Sequence, residues 1–224
     1  MRSRKSSAAA APPDAPTSSQ KPHAASQALP QASAPKGYQR LNFRLTGVSG
    51  LVMHNGQLAN PLNPFAKALK AVSGKRAKTD ADFEEMARIE FLGGLYVGED
   101  GPCIPGELIE ATLISAAKKV KRGPQAKAGI LSDGNHPILY DGPRNPDALW
   151  AEERFRLVAG VKVGQARIMR TRPIFREWSA DVFVDFMPDA LNASEVEQMM
   201  RTAGSVIGLG DWRPRFGRFT AERL

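Results

Sequence analysis

Twelve consecutive residues near the end of the chain concentrate groups that bind phosphates and bases. The run Gly208-Leu209-Gly210-Asp211-Trp212-Arg213-Pro214-Arg215-Phe216-Gly217-Arg218-Phe219 holds three glycines, three arginines and three aromatics. Glycines let backbone N–H groups approach phosphate oxygens, arginines grip phosphates as planar forks, and aromatic faces stack on bases. The same composition also suits a turn before an edge strand, with its arginines in solvent and Trp212 packed inward. The run follows a helical pattern rather than a strand and lacks dinucleotide-fingerprint spacing, and no phosphate-binding P-loop occurs in the chain.

Three stretches carry most of the positive charge of the folded part. Residues 116–127 hold Lys118, Lys119, Lys121, Arg122 and Lys127 without an acid. Residues 154–178 hold Arg154, Arg156, Lys162, Arg167, Arg170, Arg172 and Arg176 against Glu177 alone, and residues 207–219 hold Arg213, Arg215 and Arg218 against Asp211. Such segregation is the footprint of an anion-binding surface on an otherwise acidic body. Two ordinary explanations compete with it. Basic residues at 118–122 complement a helix C-terminus, and arginines on a hairpin protect a sheet edge.

Catalytic chemistry has few candidates. His54, at the end of the first predicted strand, is the one candidate general base, with no tyrosine or lysine partner evident from the sequence. His136 falls in a predicted loop and His23 in the tail. Asp80, Asp82 and Asp100 are the aspartates that metal-dependent strand cleavage would draw on, but no motif surrounds them. Cys103 lies between Pro102 and Ile104, a setting for a buried thiol. No Cys/His cluster has zinc spacing. No catalytic residue, metal or cofactor is therefore assigned.

The elements that must position these groups are legible in outline. Residues 1–37 contain 23 Ala, Pro or Ser and carry five Lys/Arg against one Asp, half of the chain's formal +8. This composition predicts a disordered basic arm, either solubilising or touching nucleic acid, and not a secretion signal. One cysteine in 224 residues excludes an internal disulfide and fits the cytoplasm, and no apolar run is long enough for a membrane span. Residues 38–224 read as one domain. Alternation from Leu41 to Met53 predicts a strand over about 40–54. Residues 61–96 read as helical, and the row Leu108, Thr112, Ala116, Val120 predicts an amphipathic helix over about 106–122. Residues 124–150 read as a long irregular loop. Alternation over 155–163 predicts a second strand, 164–178 a hairpin extension, and 180–186 a third strand. Ser194-Glu195-Val196-Glu197 reads as a capping box opening a helix that buries Val196, Met199, Met200, Ala203 and Ile207. Residues 216–223 read as a last strand.

The order strand, helix, strand, strand, helix, strand predicts an α+β fold, the ferredoxin-like (RRM-like) βαββαβ arrangement, with insertions at 55–103 and 124–150. Arg44, Arg156 and Lys162 then face the open side of the sheet, with Phe183 an aromatic candidate there.

With a glycine- and arginine-rich loop between its last helix and last strand, and Ile104-Pro105-Gly106-Glu107-Leu108-Ile109-Glu110-Ala111-Thr112-Leu113 opening its first core helix, the chain resembles the RAMP superfamily of CRISPR proteins over about residues 40–224. The loop here, with Asp211-Trp212 in its middle, departs from the family's more uniformly glycine- and arginine-rich version. The resemblance implies a guide-RNA-binding backbone subunit, repeated along RNA in a ribonucleoprotein for antiviral defence, with other effector subunits as partners. By that reading the insertion at 55–103 and the hairpin at 164–178 grip RNA and touch the next copy. The RNA-binding residues expected are Arg44, Lys118, Lys119, Lys121, Arg122, Arg167, Arg170, Arg172, Arg176, Gly208, Gly210, Trp212, Arg213, Arg215, Gly217 and Arg218. The alternatives are a guide-processing endoribonuclease of the same superfamily, using His54, and a phage or mobile-element protein that binds single-stranded DNA.

Overall fold

The computed structural model describes residues 33–224; the predicted arm over 1–37 lies almost wholly outside them. In chain order the strands are β1 (Gln39–Gly47), β2 (Leu51–Val52), β3 (Val97–Gly98), β4 (Gly101–Pro105), β5 (Ile130–Leu131), β6 (Asn135–Leu139), β7 (Arg156–Val163), β8 (Ala166–Phe175), β9 (Ser179–Phe186) and β10 (Phe219–Arg223). The helices are α1 (Pro64–Ser73), α2 (Asp80–Gly94), α3 (Gly106–Lys119), α4 (Gly123–Gly129), α5 (Pro146–Ala151) and α6 (Ala193–Thr202), the last running into a π-helical turn at Ala203–Ile207. No helix among the described residues is long and apolar enough to cross a membrane.

The chain is a mixed α+β structure with an antiparallel sheet. Seven strands form the main sheet in the order β10-β1-β9-β6-β4-β3, with β5 also paired to β9, and a second sheet has the order β2-β8-β7. Period-two alternation fixes the register of the main sheet. Leu41 opposes Val184, Phe43 opposes Val182 and Leu45 opposes Ala180, all buried on one face. Ile109, Leu113, Ala116 and Ala117 of α3 and Val196, Met199 and Met200 of α6 join the same core.

Several expectations change. The strand expected over 40–54 divides, because β1 ends at Gly47, where Trp178 leaves no room for a side chain. Val48 and Ser49 then both donate to the Arg218 carbonyl, at 2.7 and 3.2 Å. The chain re-enters as β2 in the other sheet. The segment 124–150 is not an irregular loop: it holds α4, β5, β6 and α5, and β6 lies between β9 and β4 in the main sheet. Its strands are short and rich in turn-forming residues, so only pairing with longer neighbours makes them strands. The strand expected at 155–163 is present as β7, but it belongs to the second sheet. The capping box opening α6 uses Asn192 and Glu195 rather than Ser194 and Glu197.

Candidate nucleic-acid interface

The glycine-rich loop takes its shape from tight backbone packing on β2. Gly208, Gly210 and Gly217 have φ values of 81°, 76° and 73°. A side chain on Gly210 would strike the Val52 carbonyl, and one on Gly217 the Leu209 carbonyl. Loop N–H groups are largely spent on the protein itself. Leu209 donates to the Gly217 carbonyl at 2.8 Å, Asp211 to Val52 at 2.8 Å and Gly217 to Gly50 at 2.9 Å. The glycines therefore serve close approach of backbone to backbone, and the groups left facing solvent are side chains.

Those side chains are exposed. Arg213, Arg215 and Arg218 all lie in solvent and none has a carboxylate partner among the described residues. The loop's one acid, Asp211, is instead turned inward, 3.4 Å from Nε of Arg172. Arg218 Nε donates to the Pro214 carbonyl at 2.9 Å, and Arg213 reaches the Thr112 hydroxyl of α3 at 3.5 Å. The Arg215 guanidinium stands 5.8 Å from the Phe216 ring centre.

The hairpin β7–β8 meets this loop through β2, which pairs with β8 at Leu51–Phe175 and Val52–Ile174. Its basic residues divide sharply. Arg172 is buried against Asp211, and Arg170 pairs with the buried Glu90 of α2, whose other oxygen accepts from the Thr171 N–H at 3.0 Å. These two arginines hold the hairpin to α2 and to the loop. Arg176 donates to the Arg154 carbonyl. At the tip, Lys162 and Arg167 are exposed and directly opposite one another. Like charges opposed across a hairpin repel, an arrangement that a polyanion relieves. The exposed Val158 and Met169 share that face.

Other expected residues are placed elsewhere. Arg44 forms a two-pronged ion pair with Asp181, and Arg40 a matching pair with Asp185 at 2.7 Å. Phe183 lies between them, its ring 3.8 Å beneath the Arg40 guanidinium. The sheet face opposite the helices is thus closed by cross-strand ion pairs. Arg156 and Lys162 are absent from it because β7 lies in the second sheet. At the end of α3, Arg122 pairs with Glu195 at the start of α6, at 2.6 Å. Lys118, Lys119 and Lys121 are exposed without ion pairs among the described residues. Lys118 and Lys119 stand in the last turn of α3, and Lys121 just beyond it.

His54 lies at that corner. Partial removal of water from its ring, reinforced by Arg172, lowers its pKa, while Asp211 and Glu90 oppose the shift. The Tyr96 hydroxyl donates to the His54 carbonyl at 3.2 Å. Burial, then Glu107 and Asp211, raise the pKa of Tyr96. Tyr96 was not evident as a neighbour because 42 residues separate the two. Residues 64–79 carry Lys67, Lys70, Lys75, Arg76 and Lys78 without an acid, a run that the same charge count detects. Cys103 is buried, and burial pushes its thiol up to about 11. Among the described residues no group of three or more His, Cys, Asp or Glu is placed to hold a metal. No protein-family model matches the chain, and no curated protein matches it.

Proposed function

We propose that the chain is a non-catalytic RNA-binding protein of the RAMP type, which coats guide RNA or another single strand as repeated subunits of a ribonucleoprotein. The strand order β10-β1-β9-β6, with α3 and α6 packed on one face, supports a ferredoxin-like core in which β6 rather than β7 is the second strand. One observation carries the binding reading. The loop's three arginines are exposed and lack acidic partners among the described residues, while the loop's one acid is withdrawn to Arg172. Arg213, Arg215 and Arg218 contact phosphates, and Lys162 and Arg167 at the hairpin tip extend the track. The strand follows the loop–hairpin corner rather than the sheet face, where Arg40 and Arg44 are already neutralised by Asp185 and Asp181.

The test is the salt dependence of oligonucleotide binding, followed by fluorescence anisotropy. Phosphate contacts release counterions, and for single strands each contributes about 0.7 to the slope of log K against log salt. The triple variant Arg213→Ala, Arg215→Ala, Arg218→Ala should lower the slope by about 2 on that basis. An unchanged slope would remove the loop from the interface. A marked preference for DNA would overturn the guide-RNA reading in favour of a single-stranded-DNA binder. RNA cleavage in EDTA that disappears in His54→Ala would overturn the non-catalytic one.

A further inference from the structure

Trp212 is the least expected residue for its position. Its backbone has a φ of 52°, a left-handed conformation that a bulky residue adopts only under strain. Asp211 holds the backbone at this point. The Asp211 N–H is fixed to the Val52 carbonyl at 2.8 Å. Its carboxylate accepts from the Trp212 N–H at 3.0 Å and lies 3.4 Å from Arg172 Nε. Glycine or asparagine would sit here without strain, yet the position carries the largest aromatic surface available.

That surface is not used as core. The Trp212 side chain is half-buried, outside the hydrophobic core, and its indole N–H has no acceptor among the described residues. Trp178 is the contrast: it is buried, and its indole donates to the Ser49 carbonyl at 2.9 Å. The Trp212 ring neighbours Phe216, 6.2 Å between centres, and is followed at once by the exposed Arg213 and Arg215. A flat, half-buried ring beside exposed guanidinium groups that have no carboxylate partner among the described residues matches a ligand that is anionic along its backbone and aromatic along its side. We propose that Trp212 is a stacking platform for one unpaired base of the bound strand, and that Asp211, held by Arg172, is its positioning residue. This inference rests on the RNA-binding reading and adds that the ligand must present an unstacked base. A duplex or a bare polyphosphate satisfies the arginines and leaves the indole empty.

The experiment compares three probes on the full chain: oligouridylate, an RNA duplex of equal length and inorganic polyphosphate. Binding is followed by anisotropy or competition, and stacking by intrinsic tryptophan fluorescence. Oligouridylate should quench the fluorescence, and polyphosphate should bind without quenching. Base–aromatic stacking contributes to single-strand affinity whatever the sequence, so Trp212→Ala should weaken oligouridylate binding about tenfold and leave polyphosphate binding unchanged. Trp212→Phe keeps a stacking face and should retain most of the affinity while losing the quench. Asp211→Asn keeps an acceptor for the Trp212 N–H but weakens the tie to Arg172. It should lower the oligouridylate-to-polyphosphate affinity ratio, which a general loss of stability would not move. Equal oligouridylate affinity in wild type and Trp212→Ala, or a quench that persists in Trp212→Phe, overturns the stacking role while leaving RNA binding intact. Failure of the wild-type chain to bind oligouridylate overturns both.

Discussion

His136 shows how a single residue's surroundings set its role. Expected in a loop, it is instead a buried residue of β6, its ring edge-on to Phe183 of β9 with 5.0 Å between centres. Its Nε2 lies 3.3 Å from the Ser132 hydroxyl, which donates to the Phe183 carbonyl at 2.8 Å. Burial lowers its pKa from 6.5 to about 4, against a hydrogen bond at the Asp181 backbone that raises it and with Arg40 adding to the fall. Below about pH 6.5 the unfolded chain therefore takes up a proton that the folded chain refuses. The stability from neutral His136 is complete above that pH and is lost as pH falls toward 4, in total roughly 3 kcal/mol. Urea unfolding across this range should show a steeper loss for wild type than for His136→Gln; parallel curves would contradict the assignment. At this scale the sequence is informative about residue type and silent about partners. Arg44, Arg170 and Arg213 look alike in the chain. Only the fold shows that Asp181 and Glu90 neutralise the first two while the third stands open.

Among elements, the long periodic ones were the legible ones. The helix expected over 106–122 is present as Gly106–Lys119, because a stripe of Ile109, Leu113, Ala116 and Ala117 repeats over several turns. The segment 124–150 was not legible, since β5 and β6 run only two and five residues and exist through their pairing with β9 and β4. The attachment of the hairpin was equally hidden. It depends on Glu90, buried near the end of α2, accepting from Arg170 and from the Thr171 N–H. Glu90→Ala leaves a guanidinium and a backbone N–H without their acceptor. Because Arg170 keeps partial access to water, the cost should be about 2 kcal/mol rather than the full penalty of a broken buried pair. Thermal or urea unfolding measures it, and hydrogen exchange should show β8 opening before β1 and β9. Uniform protection across both sheets would mean that Glu90 does not anchor the hairpin.

Across the whole molecule, the positive charge divides into two populations with different work. Arg40, Arg44, Arg122, Arg170 and Arg172 join strands and helices through carboxylates. Arg167, Arg213, Arg215, Arg218 and Lys162 are exposed and have no such partner among the described residues. The net charge and its segregation along the chain were legible; this division was not, because it depends on contacts between strands far apart in sequence. It predicts a double dissociation. Arg44→Met removes the two-pronged ion pair with the buried Asp181, so stability should fall by about 2 kcal/mol, while the salt slope of RNA binding measured well below the melting temperature stays that of wild type. Arg213→Ala with Arg215→Ala removes groups that no carboxylate holds, so stability should change by no more than about 0.5 kcal/mol, while the salt slope falls by about 1.4. If Arg44→Met also lowers the slope, the sheet face contacts the strand despite its ion pairs, and the track must cross the sheet instead of following the loop–hairpin corner.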